Sequence, residues 1–147
     1  MSILMKLNVE NGLLSKERKI LVADDEEWLR TLIKAMLKEH PYQIIEARDG
    51  IEALEKVEDE EPDLVLLDIL MPRMDGLKVC ETLRKSRKTR LLSIVIFTAL
   101  EEEKLRALQM GANDFLSKPF SQTELETTVL AQLKLKSYIE LLEDVEN

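Results

Sequence analysis

Five short apolar runs alternate with five stretches of helical periodicity, and this alternation constrains the fold more than any other feature of the chain. Lys19 to Asp24 rises into a short apolar strand that ends in acids. Residues 26–39 follow, with Leu29, Leu32, Ile33, Met36 and Leu37 at the i, i+3, i+4, i+7 spacing of an amphipathic helix. Pro41 falls just beyond it as a stop. Tyr42 to Ala47 reads as a second strand, and Asp49-Gly50 opens a helix with Ile51, Leu54 and Val57 on one face. Asp63 to Leu67 is a third strand, closed by Asp68, and residues 76–86 are helical through Leu77, Val79, Cys80 and Leu83. Leu91 to Phe97 is a fourth strand, closed by Thr98, before a short helix over 101–109 through Leu105 and Leu108, with Gly111 as its C-cap. Asn113 to Ser117 is the fifth strand. A last helix starts near Ser121, where Glu124 completes a capping box.

Strands alternating with helices make a parallel α/β sheet, and near-continuous apolar strands agree, because both faces of such a sheet are covered. Right-handed crossovers and only five units favour a flavodoxin-like doubly wound (βα)5 sheet of order 2-1-3-4-5 over a barrel. The expected division is a leader over residues 1–18, the α/β domain over 19–133 and an extension of the last helix over 134–147.

Composition removes several function classes. One cysteine, Cys80, rules out an internal disulfide framework and fits a reducing, cytoplasmic setting. One histidine, His40, argues against a histidine-rich metal site or a Ser-His triad. A net charge of −8 argues against general nucleic-acid binding, and no apolar run is long enough to span a membrane. The charge is uneven: nine acids and two basic residues lie in 46–63, against five basic residues and one acid in 81–90. A solvated helix surface accounts for both stretches, and a docking patch is the sharper reading of the basic one.

What remains is chemistry with carboxylates, hydroxyls and lysines. Ligands of an open parallel sheet bind outside the carboxyl ends of its strands, near the switch in strand order. Asp24-Asp25, Asp68, Thr98 and Lys118-Pro119 stand at four such ends. Each taken singly reads as a cap or turn residue, and Thr98 with Glu101 even fits a capping box. Together they gather three aspartates at one point, where a hard divalent cation and Lys118 would offset the repulsion. Such a set is suited to holding a phosphoryl group on a carboxylate.

The segment from Asp68 through Met71-Pro72 to Asp75-Gly76 resembles the phosphoacceptor segment of the receiver domain of response regulators, the CheY-like family of two-component signalling. Asp24-Asp25, Thr98-Ala99 and Lys118-Pro119-Phe120 resemble that family's other motifs, in its order and spacing, over roughly Lys19 to Leu133. The resemblance implies Asp68 as the nucleophile that takes a phosphoryl group from a phosphohistidine on a sensor histidine kinase or phosphotransfer protein. It implies Mg²⁺ or Mn²⁺ held by Asp25 directly, Asp24 mostly through water, Asp68 and the Leu70 carbonyl. Thr98 and Lys118 would bind the phosphoryl group, and Phe115 would turn inward as Thr98 moves. The surface of the fourth helix, fifth strand and fifth helix would then carry the output to a downstream protein or a missing output domain. Such a protein catalyses its own phosphorylation and dephosphorylation but acts as a regulator rather than a turnover enzyme.

Three departures stand out. Leu70 and Leu100 occupy places where the family often has polar residues, which implies slow dephosphorylation, an expectation that an aspartyl-phosphate half-life of seconds would sink. Phe115 lacks the hydroxyl of a tyrosine. Pro119, by contrast, fits the family, and the resemblance implies a cis Lys118–Pro119 bond. Two other functions compete. A phosphorylation-independent interaction module (a pseudo-receiver) usually lacks one of the acids or the lysine, and none is missing. A phosphohydrolase would need an acid-base carboxylate where Leu70 stands. In the extension, with the outer helix lacking a partner inside the domain, Leu135, Ile139 and Leu142 read as a homodimer seam, as part of a linker into a missing output domain, or as scattered apolar residues of a frayed tail.

Overall fold

The computed structural model describes residues 17–146, so most of the leader and Asn147 lie outside the described residues. Five parallel strands, β1 (Arg18–Ala23), β2 (Tyr42–Ala47), β3 (Leu64–Leu67), β4 (Ser93–Thr98) and β5 (Asp114–Ser117), form one sheet in the order β2-β1-β3-β4-β5. The connecting helices are α1 (Glu27–Met36), α2 (Gly50–Glu60), α3 (Gly76–Lys85), α4 (Lys104–Gln109, entered through a 3₁₀ turn at Glu101–Glu103) and α5 (Gln122–Glu146). This is the doubly wound fold expected from the alternation, with the long last helix.

Alternating side chains of each strand feed two cores. Leu21, Ala23, Val65, Leu67, Ile94 and Ile96 pack under α2 and α3 together with Ala53, Val57, Val79 and Leu83. Ile20, Val22, Leu64, Leu66, Val95 and Phe97 pack under α1 and α5 together with Leu29, Ile33, Leu125 and Val129. A central strand with one face in each core is buried on both sides, and β3 and β4 are buried at every position, with polar residues only at the two ends of β4, Ser93 and Thr98.

Local chemistry sets the helix ends. The Asp49 carboxylate accepts from the Glu52 amide at 2.8 Å and that of Asp75 from the Lys78 amide at 2.9 Å, so each caps the helix it precedes. Ser121 and Glu124 form the expected capping box, the hydroxyl accepting at 3.1 Å and the carboxylate at 3.3 Å. Gly111, at φ +109°, adopts the left-handed conformation that ends α4.

Three expectations are corrected. On α1 the buried stripe is Leu29, Arg30 and Ile33, followed by Leu37, whereas Leu32 is exposed; Arg30, outside the expected stripe, is buried and Leu32, within it, is not. On α4 the inward residue is Ala107, and Leu105 and Leu108 are 67 % and 40 % exposed, because a two-turn helix lying over Phe115 and Ala112 has room for only a small side chain beneath it. The outer part of α5 does have partners within the domain. Arg18, placed in the leader by sequence, opens β1 and is buried; its guanidinium donates to Ser137 Oγ at 2.7 Å, Glu140 Oε1 at 2.8 Å and Asp63 Oδ1 at 3.2 Å.

Candidate functional site

The carboxyl ends of β1, β3, β4 and β5 bring the predicted polar residues to one edge of the sheet. Asp24 follows β1, Asp68 follows β3, Thr98 closes β4 and Lys118 follows β5. Asp24, Asp68 and Thr98 are buried, while Asp25 is exposed beside them. Carboxylate oxygens of Asp24, Asp25 and Asp68 lie within 4.8 Å of one another.

Lys118 bridges two of these acids. Its Nζ donates to Asp24 Oδ2 at 2.9 Å and to Asp68 Oδ2 at 3.2 Å, and it lies 5.0 Å from the centroid of the Phe97 ring. The Lys118–Pro119 bond that follows is cis, as expected. Burial works to lower the lysine's proton affinity, but the hydrogen bond to Asp24 and the charges of both aspartates raise it above the ordinary lysine range, so it stays charged. Asp68 is the opposite case. Burial, reinforced by the charge of Asp24, outweighs the pull of Lys118 and pushes its carboxyl up to about 6.

That imbalance bears on a metal. Three carboxylates face one lysine, and the buried Asp68 Oδ1 has no hydrogen-bond partner. An all-oxygen set with an orphaned buried carboxylate oxygen fits a hard divalent cation, which would supply the missing positive charge. Cysteine and histidine take no part, so a softer ion has no preferred ligand here.

The remaining expected residues are placed less tightly. The Thr98 hydroxyl accepts weakly from the Leu100 amide at 3.4 Å, and the Glu101 amide donates to the Ala99 carbonyl at 3.1 Å, so the capping box expected of Thr98 and Glu101 does not form. Leu70, two residues after Asp68, is 60 % exposed. Phe115 is half-buried on β5, against the core shared with Leu100 and Met110. Gly76 starts α3 directly under the Asp68 carbonyl; a Cβ there would collide with that oxygen, so only glycine allows the helix to approach the Asp68–Ile69 backbone so closely.

Sequence reasoning missed Arg30. Its Nη1 donates to the Asp24 carbonyl at 2.7 Å and its Nε to Glu46 Oε1 at 3.0 Å. Its spacing did not mark it, because position 30 lies outside the stripe of Leu29, Leu32, Ile33, Met36 and Leu37, and only its burial sets it apart. The basic stretch over 81–90, which spans the end of α3, is partly used internally: Arg84 donates to the Gly111 and Thr89 carbonyls at 2.8 and 3.1 Å and to Asn113 Oδ1 at 2.8 Å, so it is a strut rather than a docking residue.

A doubly wound parallel sheet with carboxylates, a hydroxyl and a lysine converging at its switch point defines a class of α/β domains that bind ligands at the ends of their strands. Residues 20–130 match the family described as the response regulator receiver domain. The chain belongs to that family. It is 44 % identical over 119 residues to the alkaline phosphatase synthesis transcriptional regulatory protein PhoP of Bacillus subtilis (strain 168), a match covering 80 % of this chain and 49 % of that protein. The chain thus spans about half the length of that curated relative. Among solved structures it is similar to the receiver domain of a Luxo repressor protein from Vibrio parahaemolyticus (TM-score 0.82, 30 % identity, 87 % of this chain and 98 % of that one). It is also similar to the receiver domain of the sensor histidine kinase PA1611 from Pseudomonas aeruginosa PAO1, described with a magnesium ion coordinated in its active-site cleft (TM-score 0.74, 31 % identity, 80 % and 98 % covered). No helix among the described residues is long and apolar enough to cross a membrane.

Proposed function

We propose that this receiver domain is a phosphoryl-accepting switch that carries the group on Asp68. The observation that supports this most is the buried Asp68 carboxylate itself, with one oxygen on Lys118 and the other unpartnered, beside Asp24 and Asp25. A carboxylate oxygen of Asp68 attacks the phosphorus of a phosphohistidine or a small phosphodonor. The new P–O bond forms as the bond to the donor breaks, and the leaving group departs with the bonding pair.

Asp24, Asp25, Asp68 and the Leu70 carbonyl are the proposed ligands of Mg²⁺, the ion named in the Pseudomonas relative. When bound, the ion offsets the charge developing on the phosphoryl oxygens. Asp68, whose ionisation burial disfavours, would be held in its nucleophilic carboxylate form by that added positive charge. Lys118 moves from bridging two aspartates to pairing with the phosphoryl group. Thr98, held only loosely, turns its hydroxyl inward to donate to the same group. Phe115 follows, and α4 with its exposed Leu105 and Leu108 shifts its surface.

The proposed donor is a sensor histidine kinase or phosphotransfer protein. The proposed receiver of the signal is a downstream protein or an output domain, and the exposed Leu135 and Leu142 of α5 are a candidate homodimer seam. The test is intact mass after incubation with Mg²⁺ and acetyl phosphate. A gain of one phosphoryl group, absent from Asp68→Asn and from an EDTA-treated sample, is expected. A folded, Mg²⁺-replete protein that gains nothing is instead a phosphorylation-independent interaction module.

A further inference from the structure

Arg30 sits on the buried stripe of α1 between Leu29 and Ile33, where packing alone calls for an aliphatic side chain. Its two hydrogen bonds run to different elements: the Asp24 carbonyl at the end of β1 and the Glu46 carboxylate on β2. Glu46 is itself held by Lys34 Nζ at 3.4 Å. Every other polar atom of Asp24 is also fixed. Its amide donates to the Ala47 carbonyl at 3.1 Å, Oδ1 accepts from the Glu26 amide at 2.8 Å, and Oδ2 takes Lys118.

The Asp24 carbonyl has a particular leverage. Its oxygen and the Asp25 amide belong to one planar peptide unit. A group that grips the oxygen therefore fixes the rotation of that unit, and with it the direction in which Asp25 projects. Asp25 needs such help, because its exposed carboxylate makes no hydrogen bond or ion pair with the described residues. A guanidinium is suited to the task. It is planar and always charged, and it reaches two acceptors in fixed directions, whereas an ammonium is a hydrated point charge on a flexible stem. Glu46 neutralises the guanidinium, so Arg30 acts on the cluster by geometry.

We propose that Arg30, locked by Glu46, is a positioning residue that clamps the Asp24–Asp25 peptide so that both carboxylates face the divalent cation shared with Asp68. The role of the cation rests on the phosphoacceptor reading above; the clamp is a property of the chain itself. The test combines Mg²⁺ calorimetry with ¹H–¹⁵N spectra of the metal-free protein for wild type, Arg30→Met, Arg30→Lys and Glu46→Gln. Arg30→Met is expected to raise the Mg²⁺ Kd about tenfold, the scale of losing an orienting partner behind a metal ligand, with Arg30→Lys recovering part of the loss. Glu46→Gln is expected to fall between wild type and Arg30→Met. In the metal-free spectra the Asp25 and Glu26 amide signals shift or broaden in both Arg30 variants, while those of β4 stay in place. With acetyl phosphate, the Mg²⁺ half-saturation moves with Kd, and the rate at saturating Mg²⁺ changes far less.

A folded Arg30→Met protein with unchanged Asp25 signals and an unchanged Kd overturns the proposal. Should Arg30→Met fail to fold, Arg30→Lys decides on the same two readouts. If wild type takes no Mg²⁺, the phosphoacceptor reading fails, and the metal-free Asp25 signals alone decide the clamp: a shift supports it, and none overturns it.

Discussion

Burial holds the Asp68 proton more tightly in the folded chain than in the unfolded one, moving the carboxyl from 3.8 up to about 6. Ionising Asp68 therefore costs folding stability. The cost is absent below the ordinary carboxylate range, grows as pH rises through about 4 to 6, and is complete above, at roughly 3 kcal/mol for a change of that size. Asp68→Asn removes the ionisation. In EDTA the variant is expected to be more stable than wild type by about 1–3 kcal/mol at pH 8, with the difference shrinking as pH falls through about 6 to 4. Urea unfolding across that range checks it; a difference that ignores pH would show Asp68 to titrate normally. At this scale the sequence was legible where chemistry names the residue. Asp24, Asp25, Asp68, Thr98 and Lys118 were all found as polar groups closing apolar strands. Arg30 was not, because a basic residue on a helix is usually solvated, and only burial reveals that its partners are a carbonyl and Glu46.

The helices differ in how firmly they are tied down. In α4 only Ala107 is buried, so it is the helix held by the least packing, which suits an element that must shift. The outer part of α5 is the contrary case. Arg18 joins it to the start of β1 and, through Asp63, to the start of β3, and Lys136 adds a contact to Asp63 at 3.8 Å. Arg18→Met is expected to lower stability by about 1–3 kcal/mol, since it removes hydrogen bonds from a buried cation while its acidic partners keep some access to water. Urea unfolding gives the magnitude, and faster amide exchange over residues 134–144 would locate the effect in α5. Helical periodicity gave the existence of α1, α4 and α5. It could not say which stripe faces inward on a two-turn helix such as α4, nor that a residue far back in sequence would hold the end of α5.

The molecule as a whole couples its site to its stability. A cation that binds the folded state alone stabilises it by about 2.7 kcal/mol at one hundred times its Kd. In a chain of this size that corresponds to a rise in Tm of about 5–10 °C. Saturating Mg²⁺ is expected to produce a rise of that order in wild type and little or none in Asp25→Asn, as read by thermal unfolding in EDTA and in Mg²⁺. An equal rise in both proteins would place the ion elsewhere.

The sequence by itself determined the fold class, the strand order and the polar residues of the site, because apolar periodicity and the handedness of βαβ crossovers leave few ways to stack five such units. The tertiary structure decided what one-dimensional spacing cannot hold. It set the bridge from Lys118 to two aspartates, the guanidinium behind Asp24 and the clasp of Arg18 on α5. Each of these depends on distances between groups that only folding brings together, and on burial, which turns an ordinary polar side chain into one that must find a partner.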